Sequence, residues 1–255
     1  MNWDAHLRLR HVRCFLEIAR AESVSLAAEQ MNITQPAVSR SLKELEDMSV
    51  GALPTASTEL LPQAALAFQK EVPHVRLHIL TGPNWLLFNQ LRDGTLDLVV
   101  GRMPEGEAAT GVTFEQLYIE DVVLVCRPGH EILVADDVQA AIANYPLILP
   151  PKGAVISTTV SRYLASIGLP EMRGVFETVA LPVGRKIVQT SDMLWFISRG
   201  VVADELKNGA LVTVDLASPL LSGPVGISVS SSTPLSVERS MLADCLKASV
   251  TRPAR

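Results

Sequence analysis

Four polar side chains share one side of a short segment: Gln35, Ser39, Arg40 and Lys43 stand opposite the apolar stripe Val38, Leu42 and Leu45 at helical spacing. An amide, a hydroxyl, a guanidinium and an ammonium group presented together are suited to hydrogen-bonding base edges or phosphates. Thr34 is a good cap for this helix, and Pro36 falls in its first turn, where backbone N–H groups lack intrahelical partners. A plain helical subdomain with a solvated polar face accounts for the same periodicity equally well.

A second constellation follows at Thr55, Ser57 and Thr58, which open a helix, and Thr81-Gly82-Pro83-Asn84-Trp85 repeats the design at the next helix. A helix N-terminus combines free N–H groups with positive dipole, which suits a carboxylate. Both openings follow strands, at the end where parallel α/β sheets hold their ligands. Simple capping is the competing explanation at each.

Other chemistry finds little support. Gly82, Gly94 and Gly101 make no dinucleotide fingerprint, and no Gly-x-Ser-x-Gly elbow is present. His6, His11, His74, His78 and His130 show no ligand spacing and read as surface or strand residues. Asp97 and the Glu120–Asp121 pair read as a strand-end carboxylate and a crossover segment in preference to acid/base machinery. No catalytic residue, metal or cofactor is assigned, and an enzyme of related two-lobed fold is the weakest of the functional readings.

The elements that must position these residues fall into two groups. Val12, Phe15, Leu16 and Ala19 give a first helix, Leu26 to Met31 a short second one capped by Ser23 or Ser25, and Asn32-Ile33 the turn into the third. Val50 to Leu53 then begins a strand, and Pro54 opens a helix running through Leu60, Leu61, Ala64, Ala65 and Phe68. Strand Val75 to Leu80, helix Pro83 to Arg92 and strand Leu96 to Val100 continue the alternation, which implies a parallel sheet with helices on both faces. Tyr118 to Arg127 crosses to a second lobe, Val225 to Val229 returns, and a helix from Val237 to Leu246 ends the pattern.

Size and composition agree. The 255 residues suffice for a small head and a two-lobed α/β domain, and 48% are apolar, yet no run reaches the roughly 18 to 20 residues of a membrane span. The opening residues carry no secretory pattern, so the expected location is cytoplasmic. Cys14, Cys126 and Cys245 are isolated inside apolar patterns, as buried thiols are. The net charge of −5 argues against broad adhesion to nucleic acid. Even residues 1–48 hold six basic residues (Arg8, Arg10, Arg13, Arg20, Arg40, Lys43) against seven acids (Asp4, Glu17, Glu22, Glu29, Glu44, Glu46, Asp47). Any DNA contact must therefore be local.

The wording of the sequence is more specific than its periodicity. Phe15-Leu16-Glu17-Ile18-Ala19, the run Ser25 to Arg40 containing Thr34-Gln35-Pro36-Ala37-Val38-Ser39, and Leu42-Lys43-Glu44-Leu45-Glu46 closely resemble the LysR-type helix-turn-helix. That resemblance implies a winged-helix-type all-α head whose third helix enters the major groove of operator DNA. Gln35, Ser39 and Arg40 would read bases or phosphates, and Thr34 would meet the backbone. Gly51-Ala52-Leu53-Pro54-Thr55, the run Leu91 to Arg102 and the run Val122 to His130 are similar to the LysR sensor, a two-lobed periplasmic-binding-protein-like α/β domain. The implied architecture is a head at 1–48 and a sensor at 49–255, with lobe I at about 49–121 and 222–255 and lobe II at about 122–221. Thr55 and Asn84 match first-lobe effector positions, Arg102 follows the third strand at the cleft mouth, and Pro151-Lys152-Gly153 looks like the second-lobe wall. Leu80 to Leu87 and Ser191 to Gly200 look most like the branch that activates protocatechuate catabolism, implying a muconate-type carboxylate as effector.

The junction departs from the family pattern. The wing and the long dimerising linker helix are not visible, because Glu46-Asp47-Met48 passes directly to the sensor's first strand. The family pattern implies a dimer or tetramer, while this junction leaves no room for the helix that would make it. The main alternative is a small-molecule binding protein with a vestigial head.

Overall fold

The computed structural model describes residues 9–38, 47–170, 174–232 and 236–250. Helix α1 (Leu9–Ala21) and helix α2 (Val24–Gln30) pack on each other, and a third helix, α3, begins at 35 and is described to 38. Ser23 caps α2, its hydroxyl accepting from the Leu26 N–H at 3.3 Å. Asn32, at a φ of 53°, turns the chain out of α2. The Ile33 N–H donates to the Ala28 carbonyl and the Asn32 N–H to that of Glu29, both at 3.1 Å, which is the double bond of a Schellman close. Ala27, Ala28, Cys14 and Val38 are buried between the three helices, so the two alanines do admit a close neighbour.

The remainder is built on a nine-stranded mixed sheet: β1 (Asp47–Ala52), β2 (Arg76–Thr81), β3 (Leu98–Arg102), β4 (Val112–Cys126), β5 (Leu147–Leu149), β6 (Phe176–Glu177), β7 (Leu194–Ser198), β8 (Val212–Val214) and β9 (Ser222–Ser230). The order is β2-β1-β3-β9-β4-β7-β5-β6, with β8 on β4. β1 runs parallel to β2 and β3, and β5 parallel to β6 and β7, as strand–helix alternation requires. The expectation of a wholly parallel sheet fails at the middle, where β4 and β9 are antiparallel to their neighbours. The 15-residue β4 pairs β9 through its first part and β7 and β8 through its last, so one strand belongs to both halves.

Side-chain alternation puts Val50, Ala52, Leu98 and Val100 on one face of the first half. They pack there with helix α5 (Leu60–Glu71) and helix α11 (Val237–Val250) through Leu61, Phe68, Leu242 and Leu246. Val99 and Leu96 meet Leu87, Phe88 and Leu91 of helix α6 (Asn84–Asp93) on the other face. Asp97 accepts from the Ser49 N–H at 2.8 Å and pairs with the buried Arg239 at 3.3 Å, tying α11 to the start of β3, a structural use of this carboxylate. The second half has its own core, in which helix α8 (Ser157–Ser166) and helix α9 (Leu181–Thr190) cover Leu124, Ile148, Trp195 and Phe196.

Three expectations need correcting. The helix expected from Pro54 onward is two helices, α4 (Pro54–Ser57) and α5. Pro62 is the reason: it has no N–H to donate to the Thr58 carbonyl, and its ring would strike that carbonyl in a continuous helix. Val75 to Leu80 alternates apolar and polar residues as far as Ile79, yet burial along the edge strand β2 does not follow: Leu77 is half-buried and Ile79 is 49% exposed. His130 is neither a surface nor a strand residue: it is buried, Nδ1 accepts from the Ile132 N–H at 3.0 Å, and Nε2 lies 3.1 Å from the Asp192 carbonyl. With Nδ1 accepting, the Nε2–H tautomer is the one that completes both bonds.

Two substitutions test this packing. Tyr163 on α8 buries its hydroxyl without a partner while its ring lies 5.9 Å from Phe196, so Tyr163→Phe should leave stability unchanged or raise it by up to about 1 kcal/mol in denaturant unfolding. Gly226 lies where a Cβ would collide with the Glu115 carbonyl across the β4–β9 pair. Gly226→Ala should therefore cost about 1–3 kcal/mol, and a neutral result would show that the pair is looser than described.

Candidate functional site

The head presents a polar start to its third helix. Thr34, Gln35 and Pro36 are exposed while Val38 is buried, and the Thr34 carbonyl accepts from the Ala37 and Val38 N–H groups at 2.9 and 3.2 Å. Thr34 therefore stands at the helix start, as a cap residue does. Ser39, Arg40 and Lys43 lie outside the described residues.

A buried polar constellation lies where the two halves of the sheet meet. Arg102 ends β3, Glu120 sits on β4, and Ser198 ends β7. All three are buried, as is Thr55 on α4. The Thr55 Oγ1 lies 3.1 Å from the Ser198 Oγ, which also accepts from Arg102 Nε at 3.4 Å. Arg102 Nη2 donates to the Glu120 carbonyl at 3.0 Å and lies 3.9 Å from Glu120 Oε2. Glu120 Oε1 accepts from the Gly200 N–H at 3.0 Å, and the Gly200 carbonyl accepts from the Thr58 hydroxyl at 2.7 Å. Residues of the first half (Thr55, Thr58, Arg102) are thereby bonded to residues of the second (Ser198, Gly200).

Sequence explains this seam locally. Pro54 at the first turn of α4 starts a helix directly after β1, which lays Thr55 and Thr58 against the loop after β7. Gly200 has no Cβ, and one added there would come within 2.5 Å of Glu120 Oε1. Burial pushes the Glu120 carboxyl up from its ordinary 4.5 to about 7, with Arg102 and the Gly200 N–H pulling it down. Burial likewise lowers the Arg102 guanidinium, which Glu120 holds up.

The sequence-derived effector residues divide. Thr55, Thr58 and Arg102 belong to this seam, while the Ser57 hydroxyl turns back to donate to the Pro54 carbonyl at 2.9 Å. No hydrogen bond or ion pair among the described residues joins Asn84, Trp85, Pro151, Lys152 or Gly153 to it. Asn84 opens α6 with its Oδ1 buried and without a hydrogen bond, Trp85 is 62% exposed, and Lys152 and Gly153 are exposed. Sequence reasoning missed Ser198 and Gly200 and passed over Glu120. Ser198 ends an apolar strand, Gly200 follows it, and Glu120 precedes the apolar run from Val122, a weak sign without knowledge of which strands adjoin.

Thiol chemistry is poorly served here. All three cysteines are buried, and burial raises Cys126 to about 11 and also raises Cys245. Among the described residues no group of three or more His, Cys, Asp or Glu is placed to hold a metal ion, and no helix is long and apolar enough to cross a membrane.

Comparison with known proteins adds identity to this geometry. Residues 9–53 match the bacterial regulatory helix-turn-helix protein family of LysR type, and residues 46–250 match the LysR substrate binding domain. The chain is 32% identical to the HTH-type transcriptional regulator PcaQ of Agrobacterium fabrum, over 96% of this chain and 95% of that protein. That alignment runs over 296 positions although 96% of 255 residues is about 245, so about 51 positions of the relative face no residue here. Among solved structures, an OxyR mutant of Corynebacterium glutamicum superposes with a TM-score of 0.65 at 20% identity, covering 97% of this chain and 93% of that one. The regulatory domain of Synechocystis CcmR in complex with 2-PG gives 0.70 at 14% identity, covering 80% and 97%.

The raised carboxyl makes the seam sensitive to pH. An acid held above its ordinary pKa keeps its proton in the folded chain where the unfolded chain has lost it, so its contribution to stability is whole below 4.5 and is lost as pH rises to about 7. The unfolding free energy of wild type minus that of Glu120→Gln should therefore fall by on the order of 1–3 kcal/mol between about pH 4 and about pH 8. A gap that widens over this range would contradict the assignment.

Proposed function

The chain belongs to the LysR family of bacterial transcriptional regulators, and from that premise we propose how it reads DNA and what it senses. Operator DNA is met by the third helix of the head through Thr34, Gln35, Pro36, Ser39, Arg40 and Lys43. Support comes from the exposed helix start at Thr34, Gln35 and Pro36, set beyond the Asn32 turn and above the buried Val38. We place the head at 1–48 and the sensor at 49–255, with lobe I at about 49–121 and 222–255 and lobe II at about 122–221.

The sensed molecule is a small carboxylate held between the lobes by Thr55, Ser57, Thr58, Asn84, Trp85 and Arg102 on one side and by Pro151, Lys152 and Gly153 on the other. One observation carries this reading: Thr55, at the opening of a first-lobe helix, is hydrogen-bonded to Ser198 of the second lobe. A ligand that claims the Thr55 hydroxyl must rearrange the bond that joins the lobes. The unmatched Asn84 side chain at the start of α6 supplies a second polar group. Likeness to PcaQ, together with the sequence resemblance to activators of protocatechuate catabolism, favours a muconate-type acid.

The second reading, a ligand-binding protein with a vestigial head, draws on the missing positions relative to PcaQ. A chain without a dimerising linker sets one head on a palindromic operator where two would share the affinity. Assembly is accordingly weaker than in relatives that carry the segment.

Two measurements check the proposal. Arg40→Ala in a chain carrying the PcaQ segment at the junction should weaken operator binding at least tenfold without altering sensor unfolding, and sedimentation should show stronger dimerisation of that chain than of the present one. Calorimetry with aromatic and muconate-type acids should detect a ligand that Thr55→Ala and Asn84→Ala each weaken about tenfold, the loss of one charge-assisted hydrogen bond. Unchanged affinity in both variants would overturn the effector site.

A further inference from the structure

A groove of about 760 Å³ opens beside the seam, between α5, β4, helix α10 (Ala203–Lys207) and the end of α11. Its volume is that of a small-molecule site. Of the residues assigned above to the effector, Thr55 alone reaches its lining. Glu120 lines it too, 8% exposed, and its Oε2 is buried without any hydrogen bond; the Arg102 Nη2 at 3.9 Å is an ion-pair neighbour beyond hydrogen-bonding distance. A buried acceptor in this condition forfeits the desolvation cost of an unmade bond, and a ligand bearing a donor recovers it. At Glu120 itself Arg102 already supplies the neighbouring cation, so a neutral hydroxyl suffices to make the missing bond. Leu60, Ile119, Leu206 and Val250 give the groove apolar walls, and Ile119 is 56% exposed. Arg199 and Lys207 bring two exposed cations to the lining, neither in an ion pair among the described residues, beside two exposed carboxylates, Glu59 and Asp121, the second of which accepts from the Ser222 hydroxyl.

We propose that this groove is a second small-molecule site, selective for a hydroxylated carboxylic acid with a flat apolar body. Its hydroxyl donates to Glu120 Oε2, and its carboxylate meets Arg199 and Lys207. Occupation would act on the carboxylate that holds Gly200 and Arg102, and so on the seam, through a lining that contains neither Asn84 nor Lys152.

Titration calorimetry of the full chain with 4-hydroxybenzoate tests this, with benzoate, phenol and tyramine as probes lacking the hydroxyl, lacking the carboxylate, or replacing it with an ammonium group. The expected result is one molecule of 4-hydroxybenzoate per chain, each of the other three binding at least tenfold more weakly. Ala203→Trp, which fills the groove, should abolish binding, and the exposed pair Arg199→Glu with Lys207→Glu should weaken it at least tenfold should the tryptophan variant not fold. Asn84→Ala should leave it unchanged. The proposal is overturned by no binding of 4-hydroxybenzoate, by tighter binding of tyramine, or by loss of binding in Asn84→Ala with retention in the groove variants. That last pattern would place the probe in the effector cleft and leave the proposed function standing.

Discussion

A guanidinium and a carboxyl buried together at the seam of the sheet are the constraint on which this structure turns. Neither Arg102 nor Glu120 tolerates that position alone, since breaking one member of a buried pair leaves an uncompensated charge or an unmatched polar group. The pair is therefore surrounded by groups that must be present with it: the Ser198 hydroxyl, the Gly200 N–H and, through Ser198, the Thr55 hydroxyl. Those partners come from both halves of the chain. Apolar packing gives each half its own core, whereas this polar seam fixes how the ends of β3, β4 and β7 meet.

Much of this architecture is legible in the sequence, for identifiable reasons. Val50, Val99, Leu124 and Ile148 lie in apolar runs that admit only buried strands, and Gly94 ends α6 with a φ of 80° where other residues are strained. Thr55 and Asn84 are visible because a polar residue at a helix opening is a local pattern. The seam is less visible, because a hydrogen bond between Thr55 and Ser198 spans 143 positions and depends on two antiparallel strands. Glu120 illustrates the limit. In the sequence it is one of two adjacent acids at a crossover, and only the pairing of β4 with β9 and the approach of Gly200 show that one of the two is buried and its neighbour exposed. Pro62 is a local signal of the opposite kind, a residue that divides the expected helix into α4 and α5.

The functional logic follows from the same seam. Each half has a core of its own, so under the proposed function a ligand is felt by the head only to the extent that it binds one arrangement of the halves more tightly than another. Thr55 is well placed for such discrimination, since its hydroxyl is spent on the bond between halves. Glu120 adds a second lever on the same joint. About 51 positions of PcaQ face no residue of this chain.

Under the proposed function ligand and operator are coupled through one molecule, and linkage makes that coupling quantitative. Dissociation constants should be measured for the tightest-binding acid of the muconate-type and aromatic panel, with and without saturating operator DNA, and for operator with and without saturating acid. Both ratios should differ from one and be equal, because the coupling free energy is reciprocal. An acid bound with the same affinity whether or not operator is present would contradict it.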